Sequence, residues 1–259
     1  MIEIKNISKT YDGQSVLKDI SAYFESGKTN LIIGRSGSGK TVLLKNVIGL
    51  VTPDTGHILF DGRDLLKMNK KEILSLRREM GLLFQGSALF DSMTVLENVM
   101  FPLEMFSQDS YRERRNRAIR CLERVDLPEK SYPCFPSEIS GGMMKRAAIA
   151  RAIVLQPKYL FCDEPNSGLD PKTAIIIDDL IHSITHEYGM TTIINTHDMN
   201  SVMNIGENIL FIKDGIKEWG GTKEQVTHSN NPSLDDFIFA SELIRKAKEI
   251  NVETCRVGN

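Results

Sequence analysis

The segment GRSGSGKT, Gly34 to Thr41, constrains this chain more than any other. It follows the apolar run TNLIIG and precedes VLLKNVIGL, which sets a flexible loop between a predicted strand and a predicted helix. Such a loop loses much backbone entropy on folding and buries little apolar surface. A binding function offsets that cost. Gly34, Gly39, Lys40 and Thr41 fill the pattern GxxxxGK[ST]. The glycines let successive N–H groups turn toward one anion. The helix from about Lys40 adds amides that have no partner inside the helix. Lys40 is placed to reach the β- and γ-phosphates of a nucleotide, and the Thr41 hydroxyl to join the shell of a Mg2+ ion.

Nucleotide chemistry also needs carboxylates, and YLFCDE supplies them at the end of an apolar strand. Asp163 would hold Mg2+ directly or through water. Glu164 would polarise an attacking water as general base. His197 follows TTIINT, again at a strand end, where it is placed to donate to the γ-phosphate edge. Gln85 ends GLLFQ and is placed to reach the metal or the lytic water. The motif ISGGM offers a second anion grip: Ser140 caps a helix beginning near Gly141, and Gly141 and Gly142 allow close approach. One bound ATP need not use both grips from one copy. In a symmetric pair each ATP would sit between one copy's Gly-rich loop and the other's SGG.

The rest of the chain agrees with a large α/β domain. Its 259 residues, 41% hydrophobic, suffice for a sizeable core. IEIKNI, VLKDISAYF, TNLIIG and GHILFDG read as early antiparallel, edge-like strands. Thr94 to about Leu127 reads as helical, with Ile119, Leu122 and Val125 on one side of the arginine-rich run YRERRNRAIRCLERVDL. MMKRAAIARAIVL, YLFCDE, DPKTAIIIDDLIHSITHEYG and TTIINTHD alternate helix and strand, which argues for a mainly parallel sheet covered by helices. ENILFIKDGIKEWGG reads as a late hairpin. SLDDFIFASELIRKAKEI reads as a helical tail with Leu234, Phe237, Ile238 and Ile244 in an apolar stripe. Cys121, Cys134, Cys162 and Cys255 form no metal-like pair, as suits a reducing cytoplasmic setting. The start MIEIKNI lacks the order of a secretory signal, and no run is long enough to span a bilayer. The formal charge of -2 asks for neither nucleic acid nor an anionic membrane surface, so any membrane link is expected to come through a partner.

The ordered set GRSGSGKT, Gln85, ISGGM, YLFCDE, SGLDP and THD resembles the nucleotide-binding subunit of ATP-binding cassette (ABC) transporters, over about residues 1–223. The resemblance implies a P-loop NTPase α/β fold of the ABC-ATPase type, with a RecA-like core, an antiparallel β subdomain and a helical signature subdomain at about 90–155. The nucleotide-binding domain would run over 1–231 and the tail over 232–259. Gly34, Arg35, Ser36, Gly37, Ser38, Gly39, Lys40, Thr41 and the adjoining Val42 would hold ATP. Tyr11 would stack on adenine. Thr41, Gln85 and Asp163 would serve Mg2+, and Gln85 would couple the site to a membrane subunit. Glu164 would be the catalytic carboxylate, aided by Lys40 and the switch residue His197. Ser140, Gly141 and Gly142 would close over the ATP of a second copy, with Ser167–Pro171 joining the two sites.

Met143 stands where the common family pattern SGGQ has glutamine. SGG-Met-x-x-Arg, here Ser140 to Arg146, is similar to the ATPases of lipid-asymmetry or Mce-type phospholipid transporters, as is QGSALFDSMTVLENVMFPL. That likeness implies a homodimer on the cytoplasmic face of a bacterial inner membrane. It would be bound to integral permease subunits, with an Mce-type lipid-binding protein in the complex. A small-solute importer would use the same chemistry. A soluble ABC-type factor acting on nucleic acid or ribosomes would want a coiled-coil insertion, a second cassette or a concentrated basic surface, and none is plain. A GTPase would want the guanine-reading NKxD, which the chain lacks.

Overall fold

The computed structural model describes residues 1–226 and 228–238. Two sheets organise the chain. The larger contains β3 (Thr29–Ile33), β6 (Met80–Leu83), β7 (Tyr159–Asp163), β8 (Thr191–Thr196), β9 (Asn208–Lys213) and β10 (Ile216–Gly221), in the order β10-β9-β3-β8-β7-β6. Neighbours are parallel except the β9–β10 hairpin. The smaller sheet, β2-β1-β4-β5, is antiparallel and contains β1 (Ile2–Tyr11), β2 (Gln14–Phe24), β4 (Thr55–Phe60) and β5 (Arg63–Asp64).

Period-two side-chain geometry explains why the parallel strands read as unbroken apolar runs. Every residue of β3 and β8 is buried. Leu31, Ile33, Leu160, Cys162 and Ile194 face one core, while Ile32, Tyr159, Phe161 and Ile193 face another. The first core lies under the helices. The second is shared with the antiparallel sheet and α1 (Lys40–Val47). The strand before the Gly-rich loop, β3, is therefore central in the parallel sheet and not part of the antiparallel group that surrounds it in sequence.

The helical region holds α3 (Val95–Phe106), α4 (Tyr111–Arg124) and α5 (Gly141–Ile153). Its first two helices open on capping boxes, Thr94 with Glu97 and Ser110 with Glu113, which satisfy backbone donors at each N-terminus. Ala118, Leu122 and Val125 pack inward, and Arg112, Arg115 and Arg120 are left exposed on the outer side of α4. One helix was not legible in the apolar pattern. That helix, α2 (Lys70–Arg78), buries only Leu76, and its visible signal is the capping box of Asn69 and Glu72.

Helix α6 (Pro171–Tyr188) starts on the Asp170 cap and ends on Gly189 in the left-handed region. Then come α7 (Met199–Ile205), α8 (Lys223–Val226) and α9 (Pro232–Ile238). Leu234, Phe237 and Ile238 pack into the chain's own first core, with the rings of Phe237 and Phe211 5.3 Å apart. The predicted continuation of this helix, Ile244 included, lies outside the described residues, as does Cys255.

Candidate functional site

Four parallel strands deliver the predicted residues to one edge of the sheet. The Gly-rich loop leaves the C-terminal end of β3, Gln85 follows β6, Asp163 and Glu164 end β7, and His197 follows β8. In open α/β sheets this edge is where loops and helix N-termini converge on a ligand.

Two glycines of the loop are required by close contacts. A Cβ on Gly34, at φ +152°, would lie 2.2 Å from the Ile212 carbonyl oxygen. A Cβ on Gly39, at φ +105°, would press on Leu17 and the Val16 carbonyl. The β1–β2 hairpin thus backs the loop, while Arg35, Ser36 and Gly37 face outward. The Lys40 ammonium donates to the Gly34 and Arg35 carbonyls at 2.8 and 3.1 Å, bending its side chain back over the loop. Burial pulls this amine below the ordinary lysine value, and the Glu164 and Asp163 carboxylates oppose the shift.

The loop suits a phosphate. Among the described residues, the buried Ser38 hydroxyl has no hydrogen-bond partner, and α1 is preceded by Gly39, which offers no side-chain cap. Its first amides can therefore serve an anion. The acidic side suits Mg2+. Thr41 donates to Asp163 Oδ1 at 3.3 Å, so two hard oxygen donors stand together. Val42 is the next residue of α1 and packs against the second core.

Glu164 has φ +49°, an uncommon conformation for a side-chain-bearing residue. Its amide donates to the Asn195 carbonyl at 3.0 Å, and its carboxylate pairs with His197 Nδ1 at 2.7 Å. Gln85 is brought to Ser167, donating to its hydroxyl at 3.1 Å, and is not among the hydrogen-bond partners of Asp163. Tyr11 stands apart from this group, exposed at the end of β1 with the Lys9 ammonium 5.4 Å from its ring centre.

The second grip is elsewhere. Ser140 caps α5 by accepting from the Met143 amide at 3.3 Å. Gly142 packs so closely on α6 that a Cβ would lie 2.8 Å from the Thr173 methyl. A cavity of about 560 Å³ joins Ser140, Gly141, Gly142 and Met143 to Gly168 and Asp170. A smaller one, about 300 Å³, adjoins Arg35 to Ser38, and the two share no lining residue.

Several residues at the site escaped sequence reasoning. Asn195 donates to Asp163 Oδ1 at 3.1 Å, and its only sequence signal was a polar residue inside the apolar strand TTIINT. Asn166 donates to Asp178 on α6 at 2.7 Å and to Ser201 on α7 at 3.1 Å, tying the segment after Glu164 to both helices. Burial pushes the Asp178 carboxyl up to about 6. From α5, Lys145 donates to the Gln85 carbonyl, and Arg151 donates to those of Ser87 and Ala88 at 2.9 and 2.7 Å. The loop after β6 is thereby clamped to the helix that Ser140 opens.

The profile of the ABC transporter family matches residues 17–167. The methionine import ATP-binding protein MetN of Clostridium acetobutylicum is 42% identical over 93% of this chain and 75% of its own length. The intermembrane phospholipid transport system ATP-binding protein MlaF of Haemophilus influenzae is 35% identical over 92% of this chain and 90% of its own length. Among solved structures, the dimeric structure of MJ0796, a bacterial ABC transporter cassette, superposes with a TM-score of 0.79 at 34% identity, covering 86% of this chain and 99% of that one. MJ0796 has also been seen in a dimeric post-hydrolysis state bound to ADP and Pi. With more than half of its length matched by the family profile, and with the Gly-rich loop and the carboxylates brought to one sheet edge as above, the chain belongs to the ABC transporter family as an ATP-hydrolysing subunit.

Proposed function

We propose that this ATPase dimerises around ATP and powers a membrane permease that moves phospholipid across a bacterial envelope. The observation that carries the catalytic part is the meeting of Lys40, Thr41, Asp163, Glu164 and His197 at one sheet edge. Loop amides and Lys40 hold the β- and γ-phosphates. Glu164, held by the Asn195 carbonyl and His197, takes the proton of the attacking water. His197 keeps that carboxylate oriented and senses the γ-phosphate edge. Thr41 and Asp163 would hold Mg2+, which when bound would neutralise charge on the phosphate oxygens. Tyr11 stacks on adenine from the hairpin behind the loop.

The position of Ser140–Gly142 on a different helix from the Gly-rich loop, lining a cavity of its own, supports a pair in which each ATP lies between one copy's Gly34–Thr41 and the other's Ser140–Gly142. Closure and reopening pass to the permease through the Gln85 loop. Phe84, Phe90 and Met105 are exposed around that loop and on α3, and give a permease helix an apolar surface. Among the described residues no helix is long and apolar enough to cross a membrane, which suits attachment to the cytoplasmic face through such a partner.

Phospholipid as cargo rests on Met143 within SGGMMKR and on similarity to MlaF. The higher identity to MetN favours a second reading, import of a small solute such as an amino acid. Tagged protein purified from its native membranes, with mass spectrometry of bound proteins and lipids, separates the two. A permease with an Mce-type protein and enriched phospholipid supports the first. A permease with a solute-binding protein and no enriched lipid overturns it in favour of the second.

A further inference from the structure

At the opposite end of the core from the nucleotide loop, α6 presents His182 and His186 one turn apart, and Glu207 reaches them from the α7–β9 junction. Thr29 begins β3 at this end, whereas the loop leaves the other end of the same strand. His186 Nε2 lies 3.1 Å from Glu207 Oε2, and His182 Nδ1 lies 3.9 Å from the same oxygen. All three donor atoms fall within 4.8 Å of one another. The imidazole rings stand edge to face, 4.5 Å between centroids.

We propose that His182, His186 and Glu207 form a binding site for a borderline divalent transition-metal ion of the Zn2+ type. Imidazole nitrogen and carboxylate oxygen are bound by Zn2+ at about 2.0–2.2 Å, so tetrahedral coordination sets donors about 3.3 Å apart. The two measured separations bracket that value, and small side-chain rotations complete the geometry. Histidines four apart on a helix share one face, and the helix fixes their spacing without loop rearrangement. Glu207 is also held in place, because Oε2 accepts from the Thr29 amide at 2.8 Å. The Thr29 hydroxyl lies 3.1 Å from His182 Nδ1 and frees that nitrogen by rotating about its C–O bond. The three side chains are partly exposed, so the ion has an entry path and water can supply a fourth ligand. Two imidazoles select against Mg2+, which prefers an all-oxygen shell. The ion would staple α6 to the start of β9.

Burial and the neighbouring His186 hold His182 below the ordinary histidine value, and both imidazoles must be neutral to bind. The charged groups facing His182 are Glu207, Lys223 of α8 and Asp179 of α6. Protons compete with the ion for the imidazole nitrogens, so zinc uptake falls on acidification.

The test is isothermal titration of nucleotide-free full-length protein with ZnSO4 in excess MgCl2, at neutral and at mildly acidic pH, with ATPase activity measured in parallel. One zinc per chain is expected at neutral pH, weaker at acidic pH. His182→Asn with His186→Asn should remove the binding, and Glu207→Gln should weaken it about tenfold or more. Basal ATPase activity of the variants without zinc should match that of the parent. Zinc binding that persists undiminished in the double histidine variant places the ion elsewhere and overturns the site. So does the absence of zinc binding by the parent protein.

Discussion

Glu164 combines an unfavourable backbone conformation with a carboxylate pinned against His197, a cost of the kind that persists where a side chain must be aimed. If its oxygen takes the water proton, Glu164→Gln should lower kcat by about 100-fold or more, because general-base catalysis contributes about 10²–10⁴. ATP affinity should change little if, as proposed, the loop and Lys40 hold the phosphates. Steady-state turnover beside a nucleotide-binding titration checks both halves, and near-normal turnover would remove Glu164 from the base role. Asp178 makes the opposite kind of residue-scale prediction. Its carboxyl, pushed from the ordinary 3.8 to about 6 by burial, binds its proton more tightly in the folded chain than in the unfolded one. Stability from this group is therefore greatest below about pH 4 and is lost as pH rises through about 6. Above that range the ionised form costs about 2–3 kcal/mol. Asp178→Asn keeps an acceptor for Asn166 and removes the charge. It should raise stability by about 2 kcal/mol at neutral pH. The gain should shrink toward zero near pH 4, as read by chemical denaturation at both pH values. An equal effect at both would mean that the charge is not the cause.

At the scale of elements, the strands were legible because burial on both faces leaves continuous apolar runs that end where chemistry begins. TNLII, YLFCD and TTIINT announce β3, β7 and β8 and place the loop, Asp163, Glu164 and His197 at their ends. Strand order was less legible, since β3 between β8 and β9 depends on pairings of residues more than 150 positions apart. The clamp from α5 was hidden for a similar reason. Lys145 and Arg151 look like ordinary surface residues of a helix until the Gln85 loop is laid across them. Arg151 satisfies two loop carbonyls, and its guanidinium lies 6.0 Å from the Phe90 ring centre. Removing it leaves the part-buried Ser87 carbonyl without that donor, whereas water can reach the exposed Ala88, so Arg151→Met should cost about 1–2 kcal/mol of stability. The loss should be local in origin: hydrogen exchange should accelerate over residues 84–90 before it does in β3 or β8. A uniform acceleration across the sheet would mean that Arg151 supports the core and not the loop.

At the scale of the whole molecule, Ser140–Gly142 opens α5 while the Gly-rich loop opens α1, and the proposed dimer gives both a role at one nucleotide. If each ATP is held by the loop of one copy and the SGG of the other, damage to the two grips should complement between copies. Lys40→Ala disables one grip, and Gly142→Asp, which sets a carboxylate against Thr173 and the incoming phosphate, disables the other. A mixed dimer then holds one site with both defects and one site with neither. Random pairing makes about half of all dimers mixed, each with one intact site of two, so an equal mixture should recover up to about a quarter of parental activity. Each variant alone should be nearly inactive. Size-exclusion chromatography of the mixture with ATP, using two tags of different mass, confirms that mixed dimers form under the assay conditions. Mixed dimers without recovered turnover would mean that each chain grips its own nucleotide or that one intact site cannot fire alone. Placing both substitutions on one chain of a mixed dimer whose other chain is parental separates those outcomes: shared sites leave each ATP with one damaged grip, whereas self-contained sites leave the parental chain's site whole.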